Sequence, residues 1–269
     1  MSRRRDTLFG LALVSAAALA LAGCASGADD APADGGGEYG LVDAGVLTVC
    51  SDIPFPPFEF EGGDNGTGYT GFDIDLLDAI AQSLDLELAI VVTNFDALQS
   101  GTALLAGNCD LGGSAMTITE ERKANIDFSD PYYDSLQSLL VPEGSDITGI
   151  DDLDGKRVGV QQGTTGEIYA TENAAGATLV QFPSDGELWP AIQAKQIDAI
   201  LQDQPVNLEH ENADSGYVIV EEYDTDEQYG FAFAKGEKVE LREAVNAALQ
   251  DLRDSGEYDT IYDAYFTAN

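Results

Sequence analysis

Apolar residues recur along this chain in two rhythms, short continuous runs and helical spacings, and the two alternate. Val46 to Val49, Leu86 to Val92 and Cys109 to Leu111 read as strands. Between them, Leu77, Ile80, Ala81 and Leu84 fall on one face of a helix spanning Phe72 to Leu84, and Ala97 to Ala106 is also helical. Glu120 to Ala124 is long enough for a single helical turn, and Ser138 to Val141 is extended. The pattern then restarts. Arg157 to Val160 is a strand, Gly163-Thr164-Thr165 leads into a helix reaching Thr171, and Ser184-x-x-Glu187 resembles a capping box. Pro190 is expected to kink or interrupt that next helix. Ile197 to Leu201, Tyr217 to Val220 and Tyr229 to Ala234 follow as extended segments. A last helix carries Leu241, Val245, Ala248 and Leu252 on one face and stops at Gly256, with Tyr258, Tyr262, Tyr265 and Phe266 docking the chain end. Alternating strands and helices predict an α/β architecture with mainly parallel sheets. The restart, with an extended segment at each of its ends, predicts a second lobe entered and left by two crossovers. No internal sequence repeat is evident.

One apolar run stands apart. Leu8 to Ala22 follows Arg3, Arg4 and Arg5, and is too short to span a bilayer. Its length and flanks match a secretory signal. It ends in Leu21-Ala22-Gly23-Cys24, which resembles the lipobox of bacterial lipoproteins and implies cleavage before a lipidated Cys24. Residues 1–23 are thus expected to be a lipoprotein signal peptide, and 24–44 a lipid anchor with a flexible, small and acidic tether. The export route, general or twin-arginine, stays open. Cys50 and Cys109 then remain as an even pair in an oxidising location, which favours a disulfide; two buried thiols that never meet is the alternative.

Charge narrows the partners. The chain carries 12 Lys+Arg against 49 Asp+Glu, a formal net charge of −37. Phosphate binding needs clustered basic residues, so nucleic acid is excluded as a natural partner. With one histidine, His210, and two distant cysteines, a metal site is not expected and no cofactor is implied. Most of the carboxylates read as a hydrated surface. Against that background each remaining cation in a neutral stretch calls for a reason.

Four segments in order carry a family resemblance: Asp52-Ile53-Pro54-Phe55-Pro56-Pro57-Phe58-Glu59, Gly71-Phe72-Asp73-Ile74-Asp75-Leu76, Ser114 to Arg122, and Val158 to Thr165. Asp198-Ala199-Ile200-Leu201-Gln202-Asp203 adds a fifth. Together they are similar to the polar amino acid binding proteins of ABC importers, solute-binding family 3. The resemblance implies a two-lobed periplasmic binding protein-like fold, with two hinge crossovers and a ligand cleft between the lobes. Residues 45–134 plus 231–269 would form one lobe and 135–230 the other. It also implies a non-enzymatic, membrane-anchored monomer that takes an amino acid and hands it to a membrane permease.

Candidate roles follow for individual residues. Arg122 offers a planar fork for the ligand carboxylate, in a segment whose family counterpart binds that group. Thr164 and Thr165, at a helix start, present free amides and the positive end of the helix dipole to the same carboxylate. Asp203, at a strand end, takes the ammonium. Ser114 and Thr117 would add hydroxyl or backbone bonds, while Ala115 can offer only its backbone. Phe55 and Phe95 resemble two positions that sandwich the ligand side chain. Asp52 and Asp73 resemble positions that meet the far end of a cationic side chain, favouring arginine, lysine or histidine over a glutamine-type ligand. Gln161 lines the cleft, Trp189 packs within a lobe, and His210 has no obvious partner. A secreted dehydratase acting on cyclohexadienyl substrates, or a ligand-sensing module, uses the same fold. The first would need a general acid such as Glu59 over the ligand.

Overall fold

The structure is a computed structural model that describes residues 39–267. The signal segment, Cys24 and the tether up to residue 38 lie outside the described residues. The expected tether gives way to packed chain before residue 44. Leu41 is buried in the core, and the Val42 amide donates to Asp110 Oδ1 at 2.8 Å.

The chain opens with β1 (Val46–Ser51), then a small hairpin of β2 (Phe60–Glu61) and β3 (Tyr69–Thr70). Next come α1 (Phe72–Ser83), β4 (Glu87–Val92), α2 (Phe95–Gln99) and α3 (Thr102–Leu105). The helix expected over 97–106 is therefore two short ones. Gly101 between them sits at φ 79°, and a Cβ there would come within 2.9 Å of Ile126 Cγ2. β5 (Leu111–Gly112), α4 (Glu120–Lys123) and β6 (Ile126–Phe128) follow.

β7 (Tyr133–Pro142) carries the chain into a second sheet. That half contains β8 (Arg157–Gln161), α5 (Thr165–Asn173), β9 (Thr178–Phe182) and α6 (Asp185–Gln193). It is completed by β10 (Ala199–Asp203), α7 (Gln204–Ala213) and β11 (Tyr217–Tyr229). Ser184 does occupy the N-cap position of α6, yet its side chain makes no capping bond. Nor does Pro190 interrupt that helix. Leu188, Ala191 and Ile192 are buried against the sheet and hold it across the one missing N–H. β11 returns the chain to β12 (Ala232–Ala234), α8 (Val239–Ser255) and α9 (Glu257–Phe266).

The two five-stranded sheets have the same plan. Their orders are β4-β1-β5-β12-β6 and β9-β8-β10-β7-β11. In each, one strand (β12 or β7) runs against the other four, so both are mainly parallel, as the alternation predicts. β7 and β11 pair antiparallel from Tyr133↔Tyr229 to Pro142↔Tyr217 and form the two crossovers.

Each half has its own core, which is what makes two lobes. In the first, Leu47, Val49 and Leu111 of the sheet cluster with Phe72, Leu76, Leu77 and Ile80 of α1 and Leu241, Val245, Leu249 and Leu252 of α8. Each such side chain contributes roughly 1.5–3 kcal/mol by leaving water. α9 lays Tyr258, Tyr262 and Phe266 onto Phe72, and Phe266 also reaches Phe58 and Tyr133. In the second lobe, Val158, Val160, Ala199 and Leu201 pack with Leu139, Val141 and Ala170. Among the described residues no helix is long and apolar enough to cross a membrane.

Cys50 and Cys109 are joined as a disulfide across 59 residues, which settles the sequence alternatives in favour of the bridge. Closing a loop of that size restricts the unfolded chain by about 4 kcal/mol in the chain-entropy description. Exchanging both cysteines for serine should lower stability by a few kcal/mol, read as a fall in the denaturation midpoint. An unchanged midpoint would show that the bridge contributes nothing.

Candidate functional site

A pocket lies where strand ends from both sheets meet. Asp52 follows β1, Ser114 to Thr117 follow β5, Gln161 ends β8, and Asp203 ends β10. This is where open α/β sheets leave loops and helix starts free to contact a ligand. The space between the walls is narrow, and its lining comprises eleven residues: Asp52, Phe55, Phe95, Ser114, Ala115, Thr117, Arg122, Gln161, Thr164, Thr165 and Asp203.

Arg122 is positioned by local capping. α4 is one turn long, and its N-cap Thr119 accepts from the Arg122 amide at 3.1 Å, which fixes where the side chain departs. The residue is only 4% exposed, and its guanidinium lies 5.1 Å over the Phe95 ring and bonds two carbonyls. Nη1 donates to Thr117 O at 2.7 Å and Nη2 to Gly163 O at 2.9 Å, one from each lobe. Burial lowers its pKa to about 10, against the pull of Asp203 and Glu227, so it stays charged at neutral pH.

Facing it is the start of α5. Gly163 turns the chain at φ 79°, a left-handed conformation that favours glycine. Thr164 caps the helix by accepting from Glu167 N at 3.2 Å and donates to Gln161 O at 2.7 Å. Among the described residues the amides of Thr165 and Gly166 meet no acceptor, and both sit in the electropositive first turn.

Asp203 lies deep in the pocket. Its Oδ1 accepts from Gln137 Nε2 at 2.5 Å and its Oδ2 from the Tyr229 hydroxyl. Burial, then repulsion from Glu227, raises its pKa to about 7. Asp52 comes from the other sheet, just after β1. Its Oδ2 accepts from Gln161 Nε2 at 2.6 Å, a contact between lobes. Burial raises it to about 7, and Asp185 adds repulsion. The pocket thus combines a buried cation, the free amides of a helix start and two buried acids held by different partners.

Eleven of the twelve candidate residues line this one pocket. Asp73 does not. It is fully buried on the first turn of α1, where Oδ2 accepts from Ala115 N at 2.9 Å and the Tyr132 hydroxyl at 2.6 Å. It shapes the wall from behind rather than reaching into the space, and burial raises its pKa to about 7. The bond also occupies the Ala115 amide, so that residue keeps only its carbonyl. Ala115 itself is held at φ 44°.

The hydroxyls of Ser114 and Thr117 are likewise committed. Ser114 Oγ donates to Glu59 Oε1 at 2.8 Å and accepts from Asp52 N at 3.0 Å. Thr117 Oγ1 donates to Glu227 Oε2 at 2.7 Å. Glu59 is fully buried behind Ser114 and does not line the pocket, which removes it as an acid placed over a ligand. His210 does have a partner, Asp185 Oδ1 at 2.9 Å, and its ring stacks on Trp189 with centroids 4.2 Å apart, inside the second lobe. Sequence reading missed Gln137, Tyr229 and Glu227, which surround Asp203. All three sit on the crossover strands. A short extended run gave no sign of which of its side chains would turn inward.

Residues 47–268 match the family model described as bacterial extracellular solute-binding proteins, family 3. The chain is 33% identical to an L-arginine-binding protein of Pseudomonas aeruginosa, over 82% of this chain and 88% of that one. It is 35% identical to the glutamine-binding protein of an ABC transporter in Bacillus subtilis, over 71% of each. Among solved structures, an ancestral arginine-binding protein bound to glutamine superposes with a TM-score of 0.77 at 39% identity, covering 83% of this chain and 99% of the other.

Proposed function

We propose that this chain, which belongs to the bacterial extracellular solute-binding proteins of family 3, captures one free polar amino acid and delivers it to the permease of an ABC importer. The ligand carboxylate lies between Arg122 and the first turn of α5, and its ammonium lies on Asp203. Both groups are costly to desolvate unless paired, and the cleft supplies opposite charge for each. Phe55 and Phe95 flank the side chain. Asp52 meets its far end and favours a cationic group, so arginine, lysine and histidine rank above glutamine. Similarity to relatives named for arginine and for glutamine supports that range. The observation that carries the reading is that one pocket gathers a buried guanidinium, a helix start with free amides and two buried acids.

Membership places the protein outside the cytoplasm. Lipidation of Cys24 would hold it beside its permease at the outer face of the membrane. A dehydratase-like reading would instead use Asp52 or Asp203 as the acid, and its signature is turnover: loss of a cyclohexadienyl substrate on incubation with the protein.

Thermal shift across the common amino acids tests binding directly. A ligand at a hundred times its dissociation constant adds about 2.7 kcal/mol, roughly 5–10 °C for a chain of this size. No shift with any amino acid would remove the proposal. The same panel on Asp52→Asn should show arginine and lysine weakened about tenfold or more, with glutamine within about threefold of the parent. A uniform loss over all ligands would show that Asp52 holds the lobes together and does not read the side chain.

A further inference from the structure

One buried acid in the crossover is unaccounted for by ligand contacts. β11 breaks register with β7 between Tyr223↔Gln137 and Glu227↔Ser135, where four residues of one strand span two of the other. Asp226 in this bulge is held at φ 55°, and Thr225 Oγ1 donates to Glu227 Oε1 at 2.7 Å. Bulges re-aim side chains, and this one turns Glu227 inward, leaving it 8% exposed.

Its carboxylate is fully engaged. Oε1 also accepts from Gln137 Nε2 at 3.1 Å. Oε2 accepts two hydroxyls at once, Thr117 Oγ1 at 2.7 Å and Thr165 Oγ1 at 2.6 Å. Thr117 belongs to the first-lobe loop that also pairs with Tyr229, and Thr165 is the first residue of α5 in the second lobe. Both threonines line the ligand pocket; Glu227 does not.

We propose that Glu227 is a positioning residue that seats the start of α5 over the ligand, one oxygen clasping a hydroxyl from each lobe as the cleft closes. This rests on the reading of the pocket as an amino acid site and adds to it the means by which the second-lobe half of the carboxylate cradle is brought into register. The clasp works through Thr165 and not through any one ligand side chain, so its contribution is common to every amino acid bound. The same clasp favours the closed arrangement whether or not an amino acid is bound, and in the bound state it slows release.

The test is a double-mutant cycle of Glu227→Ala and Thr165→Val, combined with the distance between a spin label on each lobe. Glu227→Ala should weaken every bound amino acid by a similar factor, about 10- to 100-fold, the range expected for hydrogen bonds to a charged group. The loss should lie in a faster off-rate. Thr165→Val should weaken binding in the parent and have little further effect in Glu227→Ala. Additive losses, or a loss confined to one ligand class, would overturn the proposal. The label distances are read before any amino acid is added, where Glu227→Ala should shift the population towards wider separations; an unchanged distribution would also overturn it. That measurement stands even if no amino acid binds, which separates failure of the clasp from failure of the binding assignment. Thr165→Val and Thr117→Val leave Glu227 in place and keep the test available if Glu227→Ala does not fold.

Discussion

Arg122→Ala is expected to abolish most of the affinity for every amino acid, whatever its side chain. The guanidinium is buried, lies against Phe95, and bonds a carbonyl on each lobe. Its removal leaves a desolvated ligand carboxylate facing the amides of α5 alone. Truncating one partner of a buried, hydrogen-bonded charge pair costs about 2–5 kcal/mol, or roughly 30- to 4,000-fold in the dissociation constant. Arg122→Lys should recover little, because a point charge cannot span Thr117 O, Gly163 O and a carboxylate at once. Calorimetric titration of arginine and glutamine into the folded variant checks both statements. Binding within threefold of the parent would dismiss Arg122 as the carboxylate partner.

A second large effect is in pH. Asp52 and Asp203 have their pKa values raised to about 7, by burial first and by neighbouring acids after it. In the proposed pairing the ligand's cationic groups meet these acids in their ionised form, so binding should draw protons off them. As pH falls from 7 to 5, the dissociation constant for arginine should rise by about ten- to a hundredfold per unit, depending on whether one or both acids must ionise. Glutamine, which asks only Asp203 to ionise, should follow the shallower slope. Proton release measured in buffers of different ionisation enthalpy should be largest near pH 6 and fade above pH 8. A flat affinity over that range would contradict both roles.

The linkage to folding has the opposite sign. Between the ordinary aspartate value of 3.8 and about 7, the folded protein holds protons on Asp52, Asp73 and Asp203 that the unfolded chain has lost. Stability of the free protein therefore declines as pH rises through that window, while affinity grows.

The pocket was legible because its residues come from loops and helix starts that follow strands, and these carry recognisable local motifs. Arg122, Thr164, Thr165 and Asp203 each sit one turn or less from a boundary that the apolar pattern marks. Asp73 was misplaced for a physical reason. A motif gives position along a helix, but its side chain points under the Ser114–Ala115 turn, and only the packing of α1 reveals that. Glu227 was out of reach. Its inward turn depends on a two-residue register shift between distant strands, and one acid among 49 carries no mark of it. Of the fold, the strongly apolar strands and the α1 and α8 faces were legible. β9 and α7 were not, because β9 is only partly covered and α7 is largely polar along Gln204 to Ala213. α9 was read merely as an aromatic end, since its rings wrap the Phe58–Phe72 cluster on several sides and do not trace one stripe.

The disulfide bears on how the molecule moves. Cys50 lies on β1 and Cys109 just before β5, neighbouring strands of a single sheet, so the covalent tie spans nothing that has to separate. A reductant should therefore soften one half of the molecule and leave the β7–β11 crossovers untouched. The protein is in this sense asymmetric: one half carries a covalent staple within its sheet, and the other, which holds no cysteine, relies on packing alone.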